Sequence, residues 1–234
     1  MTKGGSVTDH DERIELATVE LLGALAYGQL RAFEAAARAI RYAIGTEHAD
    51  ELACFARHEH EGYLGLRDLL AARTDLAFTV MDRQRPHFDR YFDQAPLDDW
   101  FGACTFFALG LPIAADFGRE IAGALDEATA EVVLASIADR DQFERSATRS
   151  LSELLVDDAA RERARGIVAD LLGRALSAYQ GVMSDTDALR VLLDADRAEG
   201  ETSERRVKRL AIEVISGHRR RMVALGLEDL DDVG

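Results

Sequence analysis

Apolar residues recur every three or four positions along most of the chain, which is the spacing of one face of an α-helix. The first two such stretches cover about residues 11–44 and 46–73. A third covers about 98–125, a fourth ends near residue 155, and a fifth begins near residue 157. The composition is rich in helix formers and poor in strand formers. The pattern therefore predicts an all-α protein.

The connections between these stretches predict how the helices are arranged. Short turns at 45–46 and 126–129 each join two helices. The segment 74–97 contains Pro86 and Pro96, which favours a long crossover with short helical turns. Two antiparallel helix pairs joined by a long crossover are typical of a ferritin-like four-helix bundle. We expect that bundle here, with a fifth helix added.

Two further features lie outside this pattern. Pro112 falls inside the third helix and predicts a kink or bulge there. At the C-terminus, apolar positions alternate with seven basic residues: Arg205, Arg206, Lys208, Arg209, Arg219, Arg220 and Arg221.

We divide the chain into a bundle domain over 1–193, a linker over 194–202, and a basic amphipathic helix with an acidic tail over 203–234. The basic helix favours docking on the acidic bundle of its own or a neighbouring chain, with RNA or a membrane surface as alternatives.

Composition and charge limit the partners. The chain has 234 residues, 47% of them apolar, which is enough for a substantial core. The formal net charge of −15 repels nucleic acid and anionic membranes, so we expect no membrane contact and allow nucleic acid only at the C-terminal helix. Cys54 and Cys104 form no CxxC pair, and no uncharged run reaches the roughly 18 residues of a membrane span. We expect a cytoplasmic protein, with a homodimer as its assembly.

Two carboxylates interrupt apolar helix faces. Glu59 lies in the middle of the apolar stripe of the second helix, between Phe55 and Tyr63. Asp116 does the same in the third helix, after Ile113. A buried carboxylate has to be paired, protonated or bound to a cation. Both residues are therefore candidates for a functional site.

The positions of the turns extend this set to four acids. Glu34 and Glu59 lie at equal distances from the first turn, and Asp116 and Asp139 from the second. Each acid is about 18 Å from its turn at ~1.5 Å per helical residue. All four are therefore expected at one level of the bundle. Four inward carboxylates at one level are the skeleton of a di-iron or di-manganese site.

Several segments also resemble a known family. They are residues 21–34, which end in Ala-Phe-Glu at Glu34, residues 66–70, residues 113–122, which contain Ala-Ala-Asp-Phe around Asp116, and residues 137–139. In these segments the chain resembles small actinobacterial ferritin-like proteins related to the tRNA methylthio-isopentenyl-adenosine hydroxylases (MiaE-like). The likeness covers about residues 15–193 and leaves out the basic C-terminal helix.

The resemblance implies that Glu34, Glu59, Asp116 and Asp139 stand at metal-ligand positions. It also implies a histidine three residues after the acids of the second and fourth helices, where this chain has Gly62 and Gln142. His58 and His60 flank Glu59, but each is rotated by roughly 100° from it on a helix. His60 therefore replaces the missing ligand only if the helix unwinds locally.

Three hypotheses follow. The first is a degenerate member of the family, with an acidic pocket that binds a small molecule and carries out non-redox acid-base chemistry. In it the four acids share protons or pair with buried arginines, Gly62 leaves space for a ligand, and Tyr27, His60, Tyr63 and Gln142 line the pocket. The second hypothesis is an oxygenase that keeps an iron or manganese pair, bound through carboxylates and Gln142, and hydroxylates a small substrate or a modified tRNA nucleoside. The third is a dimeric scaffold without catalysis.

Overall fold

The computed structural model describes residues 5–195 and 202–228. Most of the predicted linker and the acidic tail fall outside these residues. Within them the chain forms helices and no strands, which confirms the all-α prediction. The helices are α1 (Gly5–Ala39), α2 (Thr46–Arg73), α3 (Ala77–Asp93), α4 (Trp100–Thr105), α5 (Leu111–Ala122), α6 (Glu127–Ala135), α7 (Arg140–Leu154), α8 (Asp158–Thr186), α9 (Ala188–Ala195) and α10 (Ser203–Ala224).

The two predicted helix pairs are present. Helix α1 lies along α2, while α4 packs against α7 and α5 against α6. Together they enclose a core whose largest fully buried side chains include Leu22, Leu66, Phe106 and Ile113. The stretch Trp100–Ala122 is long and apolar enough to span a membrane, but 83% of its most apolar window is buried inside the protein. Its apolarity is thus explained by its central position in the core.

The crossover differs from the prediction, because most of it is a single helix, α3. Val80, Tyr91 and Phe92 are buried at helical spacing, and α3 packs against α1 and α8. Pro86 lies inside this helix. An interior proline costs about 3 kcal/mol, so tertiary packing has overridden the local preference. This helix places Tyr91 next to the bundle centre.

The bulge predicted around Pro112 is confirmed. Residues Phe106–Gly110 form one turn of π-helix between α4 and α5, and Pro112 lies in the first turn of α5. Proline has no backbone N–H to continue the regular α-helical ladder. The bulge keeps its five residues buried in the core.

The predicted fourth helix is broken into α6 and α7 by the turn at residues 136–139. Since successive residues of a helix are rotated by roughly 100°, a break changes which residue faces the core. Asp139 ends the turn and is exposed, while Arg140 begins α7 and is buried. This shift of one residue decides the chemistry of the centre.

The basic helix α10 docks on the bundle of its own chain, in agreement with the favoured interpretation. Its Val214 and His218 are buried, and His218 Nδ1 lies 3.0 Å from the Leu109 carbonyl oxygen in the π-turn. Arg221 donates hydrogen bonds to both oxygens of Asp116, over 2.8 and 2.9 Å, and to Glu144 over 2.7 Å. A homodimer and a nucleic-acid contact through the exposed side of α10 stay predictions.

Replacing Arg221 by alanine is expected to destabilise the protein by about 1–3 kcal/mol, because two partly buried carboxylates lose a charged donor. Chemical denaturation monitored by circular dichroism measures the change. Arg220→Ala, one residue earlier at an exposed position, is the matched control and should change stability by less than about 0.5 kcal/mol. Equal effects of the two substitutions would show that the Asp116 contact does not hold α10 in place.

Candidate functional site

Glu59 lies at the centre of the bundle, as its place in the apolar stripe of α2 predicts. It is 1% exposed, and the buried residues Phe55, Ala56, Tyr63 and Leu66 precede and follow it on the same face. Burial of a lone carboxylate is costly, so the residue needs a cation or a proton.

The cation is the guanidinium group of Arg140. Its Nε donates to Glu59 Oε1 over 2.7 Å, and its Nη2 donates to Glu59 Oε2 over 2.6 Å. Two parallel bonds of this kind match the planar fork of arginine to both carboxylate oxygens. The hypothesis that the inward acids pair with buried arginines therefore holds for Glu59.

Two further groups complete this network. Nη2 of Arg140 also donates to Gln29 Oε1 over 2.8 Å, and Gln29 Nε2 donates to the Ser136 carbonyl oxygen over 2.9 Å. Gln29 is on α1, Glu59 on α2, and Ser136 and Arg140 flank the α6–α7 turn. The network thus ties three parts of the bundle together. Burial raises the pKa of Glu59, and the attraction of Arg140 opposes that rise.

Gly62 is next to this network, and the space that its missing side chain leaves is filled. A Cβ atom at this position would lie 2.6 Å from Gln29 Nε2 and 2.8 Å from the Ser136 carbonyl oxygen. The hydrogen bond between Gln29 and Ser136 therefore passes close over α2 only because residue 62 is glycine. Protein atoms therefore fill the position of the missing Cβ, while another side of Gly62 lines an open groove of about 340 Å³ together with Glu59 and Arg140.

The other three predicted acids do not join Glu59. The side chain of Glu34 is 45% exposed and is flanked by Arg31 and Arg38 at 3.4 and 3.6 Å. Asp116 pairs with α10, as described above, and accepts from Arg119 over 3.0 Å.

Asp139 is not buried either. Its side chain is 62% exposed, and His58 Nδ1 lies 2.6 Å from its Oδ2. The expectation that the four acids gather in one layer is therefore wrong. Distance from a turn fixes the level of a residue along a helix, but it does not fix the direction in which the side chain points.

These positions do not fit a pair of iron or manganese ions. Over residues 5–195 and 202–228 no three His, Cys, Asp or Glu side chains come together closely enough to hold a metal ion. In addition, both oxygens of Glu59 accept hydrogen bonds from a guanidinium cation, which would repel a metal ion. The carboxylates expected as metal ligands are instead partners of arginine and histidine side chains.

The residues predicted to bind a ligand are also dispersed. Tyr27 donates a hydrogen bond to Asp89, and burial together with that bond raises the pKa of Tyr27 to about 12. His60 packs against the ring of Phe33 at a centroid distance of 5.2 Å, and Tyr63 lies beneath the guanidinium of Arg67. Gln142 is exposed beside a surface groove.

A different pocket occupies the middle of the bundle. It has a volume of about 60 Å³ and lies between α1, α3, α5 and α8. We call it the central cavity. Apolar side chains such as Leu21, Ile113 and Phe117 form most of its wall, and no Asp or Glu of the described residues lines it. The central cavity is thus apolar and is not the acidic pocket predicted at the bundle centre; Glu59, Glu61 and Asp139 line a separate groove of about 340 Å³.

Four polar residues interrupt the wall of the central cavity: Gln29, Tyr91, Ser136 and Arg140. Three of them belong to the network around Glu59. Tyr91 does not, and its buried hydroxyl has no hydrogen-bond partner among the described residues. A buried hydroxyl without a partner costs about 1–3 kcal/mol. Burial raises the pKa of Tyr91, so this hydroxyl stays a neutral donor.

Gln29, Tyr91 and Arg140 are not among the residues predicted from the sequence. Gln29 interrupts the apolar face of α1 just as Glu59 interrupts that of α2, so the same criterion would have found it. Arg140 gives no such signal, because its inward direction depends on the break before α7. Tyr91 was assigned to a crossover and therefore was not placed on a buried helix face.

Comparison with known proteins identifies the domain. The family model described as "Ferritin-like domain, actinomycetes" matches residues 12–196, which is most of the chain. No curated protein matches the sequence.

Replacing Arg140 by methionine is expected to destabilise the protein by about 3–5 kcal/mol, because Glu59 is left buried without a cation. The double variant Glu59→Leu with Arg140→Met should recover most of that loss, since neither charge remains. Unfolding of the wild type, of Arg140→Met, of Glu59→Leu and of the double variant in guanidinium chloride gives the four free energies from which the coupling between the two side chains follows.

Asp139→Asn is the control, because it removes an exposed charge next to Arg140. We expect it to change the free energy of unfolding by less than about 1 kcal/mol. If the double variant were no more stable than Arg140→Met, the ion pair would not be the interaction that holds the centre.

Proposed function

Because the chain belongs to the actinomycete family of ferritin-like domains, we propose that it binds a small apolar molecule inside the bundle, next to the position where the resemblance implies a metal site. The observation that carries the proposal is the Glu59–Arg140 pair beside an apolar cavity. In this pair Arg140 neutralises the buried carboxylate of Glu59 without a metal ion, so the proposal is for a binding protein and not for an oxygenase.

The shape of the central cavity limits the size of the molecule. One water-sized sphere needs about 10–15 Å³ on this measure, so about 60 Å³ corresponds to roughly four to six non-hydrogen atoms. An empty cavity of this kind is unfavourable because its lining lacks contact partners on one side. A short aliphatic group would restore those contacts and gain about 0.8 kcal/mol for each buried CH₂.

The walls support an apolar occupant over a charged one. Arg140 already donates to Glu59 and Gln29, and Gln29 donates to Ser136. These bonds use Nε and Nη2 of Arg140, both oxygens of Glu59 and the amide of Gln29, so these atoms offer little to a polar ligand. The rest of the wall is dominated by carbon atoms, for which burial of an aliphatic chain is the favourable contact.

A titration with 1-pentanol tests this proposal. The methyl groups of Ile113 and Ile137 line the central cavity, whereas Ile212 is exposed on α10. We expect saturable changes in the methyl NMR shifts of the first two residues and none at the third. Uniform shifts of all three would indicate solvent effects and would contradict binding in the cavity.

Filling the cavity provides the matched variants. Ala114→Leu and Ala24→Leu add side-chain volume at the wall and should weaken 1-pentanol binding at least tenfold. Ala37→Leu makes the same change at an exposed position of α1 and should leave binding unaltered. Unchanged binding in folded cavity variants would place the alcohol elsewhere.

A further inference from the structure

A second, polar pocket lies on the outer side of Tyr91. It is a cleft between α3 and α8 with a volume of about 400 Å³, and we call it the α3–α8 cleft. Tyr91 and Ala178 line both this cleft and the central cavity. The two spaces are therefore neighbours, with one aromatic ring and one alanine side chain at their boundary.

The charges in the α3–α8 cleft favour an anion. Arg90 on α3 and Arg174 on α8 both line it, and Asp170 lies one turn before Arg174 on α8. Arg174 donates to the carbonyl and amide oxygens of Gln94 and lies 3.3 Å from Asp170. Arg90 is exposed and forms no ion pair with the residues that the structure describes. One cationic group thus remains for a ligand, in a protein whose net charge is −15.

Tyr91 supplies the donor at the boundary. The residue is 6% exposed, and its hydroxyl lacks a hydrogen-bond partner among the described residues. Gly110 in the π-turn makes room for it, because a Cβ atom there would lie only 2.9 Å from the hydroxyl oxygen. A buried donor without an acceptor, on a residue that lines both an apolar cavity and a basic cleft, is a suitable contact for a ligand oxygen atom.

We infer that the ligand is a short unbranched aliphatic carboxylate, whose chain lies in the central cavity and whose carboxylate binds Arg90 and the Tyr91 hydroxyl. This inference rests on the proposed function, since it names the class of molecule for the same cavity. The aliphatic chain of the ligand passes between Tyr91 and Ala178, where α8 presents only a methyl group. The volume of the central cavity selects chains of about four to six carbon atoms.

Hexanoate and 1-hexanol separate the two proposals, because they share a chain and differ in charge at pH 7. Calorimetric titration of the full chain should show hexanoate binding at least tenfold more tightly than 1-hexanol. Equal affinities would overturn the carboxylate site but leave the apolar cavity in place. Failure of both probes to bind would overturn both proposals.

Arg90→Gln is expected to weaken hexanoate binding at least tenfold and to leave 1-hexanol binding unchanged. Arg85→Gln removes the same charge from an exposed position of α3 outside the cleft, and it should leave both affinities unchanged. Equal losses from the two substitutions would mean that only the overall charge matters, which contradicts a specific site.

Tyr91→Phe tests the hydroxyl separately. The variant removes a polar group that has no partner, so it should raise the melting temperature of the ligand-free protein while it weakens hexanoate binding three- to tenfold. If Tyr91 had a purely structural role, the variant would lower the melting temperature and the affinity for hexanoate together, and that result would contradict the inference.

Inorganic phosphate is the last probe. Phosphate binding that needs Arg90 and is tighter than hexanoate binding would identify a phosphate site and overturn the aliphatic assignment.

Discussion

The ion pair between Glu59 and Arg140 is the interaction on which the centre of this bundle depends. Removing two charges from water costs several kcal/mol for each ion, and only good geometry offsets that cost. The hydrogen bonds of 2.7 and 2.6 Å from Nε and Nη2 of Arg140 meet this requirement. Gln29 accepts a further hydrogen bond from Nη2. Gly62 is fixed by the same network, because any side chain there would collide with it. One charged contact, made possible by the break between α6 and α7, thus explains a buried glutamine and a glycine.

The same rule applies at the edge of the bundle. Asp116 is largely buried on α5, and Arg221 reaches it from the last helix of the chain. Inward carboxylates on α2 and α5 are therefore neutralised by guanidinium groups from elements far away in sequence. Since both cations come from the protein itself, the bundle does not need metal ions to balance its buried acids. The excess negative charge is left to exposed side chains.

The sequence was sufficient for the fold and for one residue of the site. Helical spacing located the helix pairs and the bulge near Pro112, and Glu59 was found because it breaks an apolar stripe. The prediction that Asp139 points inward is wrong, because the turn before α7 rotates the following residues and Arg140 points inward instead. The prediction of a crossover with short helical turns is also wrong. Tertiary packing keeps α3 continuous through Pro86, although proline is unfavourable inside a helix. The direction of a side chain about its helix axis depends on the contacts of the folded protein, and so does the continuation of a helix through a proline. A single sequence does not show either of them.

The polar groups at the centre differ in what they can still offer. Arg140, Glu59 and Gln29 satisfy one another, so their polarity is internal to the network. Tyr91 alone, among the polar side chains described around the central cavity, retains an unused hydroxyl. Discrimination between ligands in a cavity comes mainly from polar groups that would otherwise be left without a partner. The Tyr91 side of the cavity should therefore decide which molecule binds, while the ion pair on the other side holds the wall in place.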